Sequence, residues 1–581
     1  MLDSVPLPFQ AILWPLVGGG VNLVLNRLLP GWVRRLVATA AALASLGALW
    51  SLKTGGVERA QILWEPVNFF RMSPTLAPDG LSLLIGIALA AAAAAMTLGI
   101  RGQEPQQTAW QGLFLLLLAG CLAVTMAANA LTLAAGSALV DLALILLVLS
   151  SSSRAGLDGR MSLGLVAPGV ASTLLIFFGA LQMDAQLGHG SLLSQTLPQD
   201  TLVVIGVAGA LRALVLPLHA RELRLPETAA ALLLSIGAGG YLLARVQASP
   251  APALAGRPWV MAVAVIGVLA GGRLAWSSAA RWGAPPAEGS SPGQWWTGVL
   301  AYQSGYLLAF VLLLAGGTPW PVVSMVLALA VLAIWWDDTL DAPVPGSRTL
   351  DLLRALFRPW LDRVESGAVG RFRSGGWQRS SRLRQRAAIL LPATALASLV
   401  GMPLTLGARG RWPYYAAWLK RGDPSLLLIL VAEVLLVAGL GAAFAAIWEQ
   451  SRHHRPRPAA LAATIALTVV TVLLGLAPGL FSGDLDLTVE RADVSAWGLG
   501  LLYLLPWLVG AWLGRFRGLQ PGPLDRIWNA VNLDWFYRGA AWVGQRLVDI
   551  VHWLGEVGEG EGWWGWALII LALGVVLFTV Q

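Results

Sequence analysis

Four ionisable residues stand inside apolar runs of this sequence: Asp141, Arg212, His219 and Glu433. A fifth, Arg411, lies just past such a run. A charge in a lipid-embedded segment is costly, so each marks a candidate ion path, proton relay or buried pair. Arg212 precedes Pro217 by five residues in "LRALVLPLHARELRLP", and His219 follows. Pro403 precedes Arg411 by eight in "SLVGMPLTLGARGRW". A proline frees a backbone carbonyl that lipid cannot partner. Broken helices in two halves of a chain mark transporters built from inverted repeats, with the pathway near the midplane. The other reading is a plain kink beside a structural charge.

The elements that must position these residues are membrane spans. The 581 residues have a mean hydropathy of +0.69 and are 57% hydrophobic and 12% charged. Soluble proteins carry about 25% charged residues. Apolar runs of about 17 to 25 residues recur throughout. They predict an all-α polytopic membrane protein of about 14–16 transmembrane helices, with spans that include 201–219, 319–336, 387–407, 424–447 and 563–580. The first run, Ala11 to Leu29, reads as a span, since it lacks a basic n-region and a cleavage site. The 28 tryptophans gather near span ends, as an interfacial belt does. Threading the spans alternately puts 28 Lys and Arg on one side and ten on the other, with Arg212 inside a span. The arginine-rich side is expected to be cytoplasmic. Loop topology accounts for the +8 charge, so nucleic acid is not an expected partner.

One cysteine, Cys121, cannot hold a cluster, a structural zinc or a disulfide. The five histidines lack metal-ligand spacing, and no nucleotide loop follows a strand. No cofactor is expected in this chain. Residues 337–386 form a basic, Gly/Ser-rich loop that either lies on anionic lipid or docks a soluble partner. Apolar residues at helical spacing within 515–562 predict an amphipathic surface segment, lying on lipid or bracing a neighbour.

The motifs, in order, resemble the antiporter-like membrane subunits of respiratory complex I, Mrp-type cation/proton antiporters and membrane-bound hydrogenases. "MSPTLAPDGLSLLIGIALA" resembles the family's third helix, and "LAGCLAVTMAANALTL" the approach to its fifth. "LRALVLPLH" resembles the broken seventh, usually K-S-A-Q-x-P-L-H, and "SLVGMPLTLGARGRW" the broken twelfth. "VLAYQSGYLLAFVLLLAGG" and "NLDWFYRG" fit as well. The resemblance implies N-terminal spans at 1–108 and two inverted repeats, 109–246 and 247–447. Further spans follow at 448–514, then the surface segment 515–562 and a last helix at 563–581.

In that family a midplane path uses a helix-five glutamate, a helix-seven lysine, a helix-eight lysine or histidine and a helix-twelve lysine or glutamate. Here the glutamate position maps to Ala138, with Asp141 one turn on. The two path lysines map to Arg212 and Arg411, and the helix-eight position falls near Gly237. The only lysines are Lys53 and Lys420. Lysine gives up its proton readily when buried, whereas arginine does not. Arg212 is expected to pair with Asp141. His219 either passes protons at its helix end or caps it. Glu433, flanked by apolar residues, serves either a proton path or a partner in the next subunit. Asp79 is expected to cap the third helix.

The resemblance implies a subunit of a complex I-like, Mrp-like or hydrogenase-like assembly, taking part in proton or sodium translocation with other membrane subunits. No catalysis is expected from this chain alone, though it would form part of an NADH-quinone oxidoreductase or hydrogenase complex. The rival readings are a non-conducting scaffold and the membrane subunit of an inorganic-carbon uptake complex. The expected location is a bacterial inner membrane or a thylakoid.

Overall fold

The computed structural model describes residues 5–26, 28–55, 60–61, 74–100, 109–155, 159–187, 192, 198–213, 226–248, 258–281, 292–313, 319–340, 390–402, 405–421, 425–451, 457–476 and 496–515, with Trp542, Arg546 and Asp549. The chain divides into two units, 1–518 and 519–581. In the second unit Arg546 lies over the Trp542 ring at 5.6 Å, a contact between residues one helical turn apart.

The first unit is helical. Its helices are α1 (Leu7–Val24), α2 (Gly31–Gly55), α3 (Gly80–Gly99), α4 (Trp110–Met126), α5 (Ala130–Ala155), α6 (Gly159–Leu187), α7 (Gln199–Arg212) and α8 (Pro226–Ala248). They continue as α9 (Pro258–Arg281), α10 (Pro292–Leu313), α11 (Trp320–Leu340), α12 (Leu390–Val400), α13 (Leu406–Arg421), α14 (Ser425–Ser451), α15 (Pro458–Leu476) and α16 (Ala496–Arg515). Among the described residues, ten helices are long and apolar enough to cross a membrane. A two-residue ladder, Ala60–Gln61 against Thr75–Leu76, is the one sheet among the described residues.

Among the described residues, α3, α4, α8, α10 and α11 form the interior. The apolar windows of α3, α8 and α11 are 83%, 94% and 100% buried, against 33% for α1 and 44% for α15. Water does not drive helices together in a bilayer, so close approach of small residues does. The alanine run of α3 and the glycines of α8 supply it.

One glycine crossing occurs twice. A Cβ on Gly120 of α4 would lie 2.9 Å from Val140 N of α5, and one on Gly136 would lie 2.9 Å from Val124 N. On α9, a Cβ on Gly271 would collide with Tyr302 N of α10, and one on Gly298 would collide with Ala275 N. The two crossings match residue for residue, so Asp141, after Val140, corresponds to Gln303, after Tyr302.

Two ionic clamps fix how the spans thread. Asp79, the N-cap of α3, pairs with Arg245 near the end of α8. Arg457, just before α15, pairs with Asp337 and Asp338 near the end of α11, both at 2.6 Å. The start of α3 therefore shares a side with the end of α8, and the start of α15 shares one with the end of α11. The second clamp requires α12 and α13 to make a single crossing between them, and α14 the return. Were α12 and α13 two full crossings, Arg457 would face the opposite side.

That arrangement corrects the sequence-based boundaries. The span expected at 387–407 is a helix ending at Val400, a turn at Gly401 (φ 79°) and a second helix from Leu406. Arg411, expected in a loop past the span, lies within α13 and is buried. Helix α7, expected to run to 219, ends at Arg212. Pro217, His219, Pro403, the loop residues 341–386 and the span 563–580 lie outside the described residues.

Candidate functional site

The first site joins three helices. Asp141 projects from the middle of α5, Thr173 from α6, and Arg212 is the last residue of α7. Arg212 Nη1 lies 3.0 Å from Asp141 Oδ1, with side-chain exposures of 0% and 7%. Arg212 Nη2 donates to Thr173 Oγ1 at 2.6 Å and to the Gly169 carbonyl at 3.2 Å. The Thr173 hydroxyl donates to Asp141 Oδ2. Two glycines make room. A Cβ on Gly169 would lie 2.9 Å from Asp141 Oδ1, so only glycine lets the carboxylate reach α6. A Cβ on Gly239 of α8 would lie 2.6 Å from Ala213 N, so α8 packs against the backbone where α7 stops.

The second site forms at the break between α12 and α13. Helix α12 closes with Met402 N–H donating to the Ala397 carbonyl (2.8 Å) and Gly401 N–H to the Ser398 carbonyl (3.0 Å). This six-to-one, five-to-two pattern needs a left-handed residue, and Gly401 supplies it. It leaves the Leu399 carbonyl over, which a membrane interior must partner. Arg411 Nη2 donates to it at 2.7 Å, and Gln303 Nε2 at 2.9 Å. The same guanidinium pairs with Glu433 of α14, both side chains 3% exposed. It also lies over the Tyr306 and Tyr302 rings of α10, at 4.8 and 5.8 Å. A Cβ on Gly401 would collide with Arg411 Cδ. Glu433, expected to face a path or a neighbouring subunit, has its partner within this chain. Its second oxygen, Oε2, is buried without a hydrogen bond.

Between the two sites the position near Gly237, where the sequence resemblance would put a charge on helix eight, is apolar. A Cβ on Gly237 would lie 2.7 Å from Leu89 Cδ2 and 3.1 Å from Val326 Cγ2, so side chains of α3 and α11 fill the place of a relay group. Among the described residues no cluster of His, Cys, Asp and Glu is disposed to hold a metal.

Sequence reasoning named Asp141, Arg212, Arg411 and Glu433. It missed Thr173, Gln303 and the tyrosines, whose roles appear only when α6 and α10 pack against the arginines. Asp79 caps α3 as expected, its carboxylate accepting from Ser82 N at 2.9 Å. Burial of Asp79, just outside the span, would raise its pKa, but Arg245 and the Ser82 hydrogen bonds outweigh burial and lower it.

Fold and sites together define a multi-pass helical membrane protein with two buried carboxylate–arginine pairs, each where a helix ends. The fold is similar to that of chains from three solved membrane complexes. It matches a chain of the Mrp complex from Dietzia sp. DQ12-45-1b with a TM-score of 0.61 and 16% identity, over 99% of this chain and 63% of that one. This chain thus spans just under two thirds of the Mrp chain's length. It matches a chain of the membrane-bound sulfane sulfur reductase, an archaeal respiratory membrane complex, at 0.64 and 14%, over 98% and 99%. A chain of respiratory complex I from Thermus thermophilus matches at 0.55 and 17%, over 81% and 98%. No family model and no curated protein matches the sequence.

Proposed function

We propose that this chain is a membrane subunit of a larger ion-translocating assembly, held among other membrane subunits as its structural neighbours are. Asp141 and Glu433 exchange protons, or sodium ions, beside arginines whose charge does not change. The observation that carries this reading is the pair of buried ion pairs at the two helix ends. A guanidinium stays protonated at any accessible pH. Of the two partners only the carboxylate can titrate, so each pair works as an acid beside a fixed positive charge. Redox cofactors would belong to other subunits. The arginine-rich loops face the cytoplasm of a bacterial inner membrane, where residues 341–386 offer a place for a soluble partner.

A scaffold without a path is the second reading, favoured by the apolar packing at Gly237. The test is ion flux. The purified parent complex is placed in liposomes with a pH-sensitive dye, and Asp141→Asn, Arg212→Ala and Glu433→Gln are compared with wild type after assembly is checked on native gels. The path reading expects assembled variants that lose coupled proton movement. Three variants that assemble and pump like wild type would leave only the scaffold.

A further inference from the structure

We infer that Thr173 is a positioning residue of the first site, whose hydroxyl passes the charge state of Asp141 on to Arg212. A hydroxyl has one proton and two lone pairs. Here the proton goes to Asp141 Oδ2 while the oxygen accepts from Arg212 Nη2 at 2.6 Å. Other threonines of this protein spend their proton differently. Thr97 donates to Ala94 O (2.9 Å), Thr125 to Leu122 O (3.0 Å), Thr464 to Ala460 O (2.8 Å) and Thr471 to Leu467 O (2.8 Å). Bonding back to the preceding turn is the common resting place of a helical threonine. For Thr173 that acceptor four residues back is the Gly169 carbonyl, and Arg212 Nη2 already donates to it at 3.2 Å. Arg212 shares the acceptor that Thr173 would use, and the Thr173 proton goes to the carboxylate instead.

The arrangement has a second state with the same atoms. When a proton binds Asp141 Oδ2, the carboxyl becomes a donor and no longer needs one. Its O–H then donates to Thr173 Oγ1, and the threonine O–H turns to the Gly169 carbonyl. That carbonyl, with two lone pairs, then accepts from both Thr173 and Arg212, and Arg212 faces a neutral carboxyl through Nη1. Arg212 is the last residue of α7, so the loss of its charged partner acts at the end of that helix. No bond other than the new O–H forms, and no electron moves.

The functional arm of this inference rests on the ion-path reading; the spectroscopic arm does not. The full-length protein in its native assembly is compared as wild type, Thr173→Val, Thr173→Ser, Thr173→Ala and Asp141→Asn by infrared difference spectroscopy. The Asp141 carboxylate band is the one lost in Asp141→Asn. Thr173→Val, close in shape but without a hydroxyl, is expected to move that band and to cut proton flux about tenfold. Thr173→Ser is expected to restore both. A valine variant whose band and flux match wild type overturns the inference. If valine prevents assembly, the alanine variant is read by the same band with the same two outcomes. Should wild-type flux be insensitive to Asp141→Asn, the ion-path reading fails, and the band alone decides the role of Thr173.

Discussion

Each arginine is tied down on several sides, which sets what its removal does. Arg212 holds Asp141, Thr173 and the Gly169 carbonyl; Arg411 holds Glu433, the Leu399 carbonyl and two tyrosine rings. Removing one partner of a buried pair costs about 3–5 kcal/mol, because the other charge is left alone. Arg411→Ala should therefore unfold more readily than the double variant Arg411→Ala/Glu433→Gln, measured as thermal loss of the purified complex. A more stable single variant would show that the pair is not buried together. Gly169→Ala should weaken the first pair without touching a charge, since its methyl would lie against Asp141 Oδ1. Its flux should approach that of Asp141→Asn. The Asp141–Arg212 pair was legible in the sequence because both charges stand in apolar runs and the motif resemblance maps them at or next to paired positions. Thr173 was not, since a threonine in an apolar run usually bonds to its own helix. Glu433 was visible as a buried acid, but its partner was hidden by the misplacement of Arg411.

At the scale of elements, hydropathy located the spans well where they are continuous. It failed at α13, where Gly407, Gly410, Pro413 and four basic residues, Arg409, Arg411, Lys420 and Arg421, break up the apolar run. This helix is held by partners that sequence does not display: the Leu399 carbonyl, Glu433, and the Gly475 carbonyl, to which Arg409 Nε donates at 2.9 Å. The two glycine crossings argue for a stability prediction. Gly271→Val and Gly298→Val place side chains where α9 and α10 backbones meet, so both should abolish accumulation of folded protein, read by fluorescence-detected gel filtration. Gly441→Val, on α14 with open space around it, is the control that should fold. At the start of α3, Asp79→Ala removes a cap worth about 1 kcal/mol. The pKa of Asp79 is lowered on folding, so its contribution is complete above the unfolded value and fades as pH falls through the folded one. The wild-type advantage over Asp79→Ala should thus be present at neutral pH and shrink in acid, below about pH 4. An advantage that grows in acid would contradict the sign.

At the scale of the whole molecule, the clamps set the order in which the chain can be completed. Asp79 and Arg245 are separated by 166 residues, and Asp337 and Arg457 by 120. During synthesis the acidic member of each clamp enters the membrane long before its basic partner exists. A chain that inserts one span the wrong way round between the members of a pair would bring that pair to opposite faces. That clamp would then stay open, with unpaired charges at the start of α3 or the end of α11. Mis-inserted protein would differ from correctly inserted protein in charges that membrane quality-control proteases can sense, so the same contacts that brace the finished bundle would also govern which newly made copies survive.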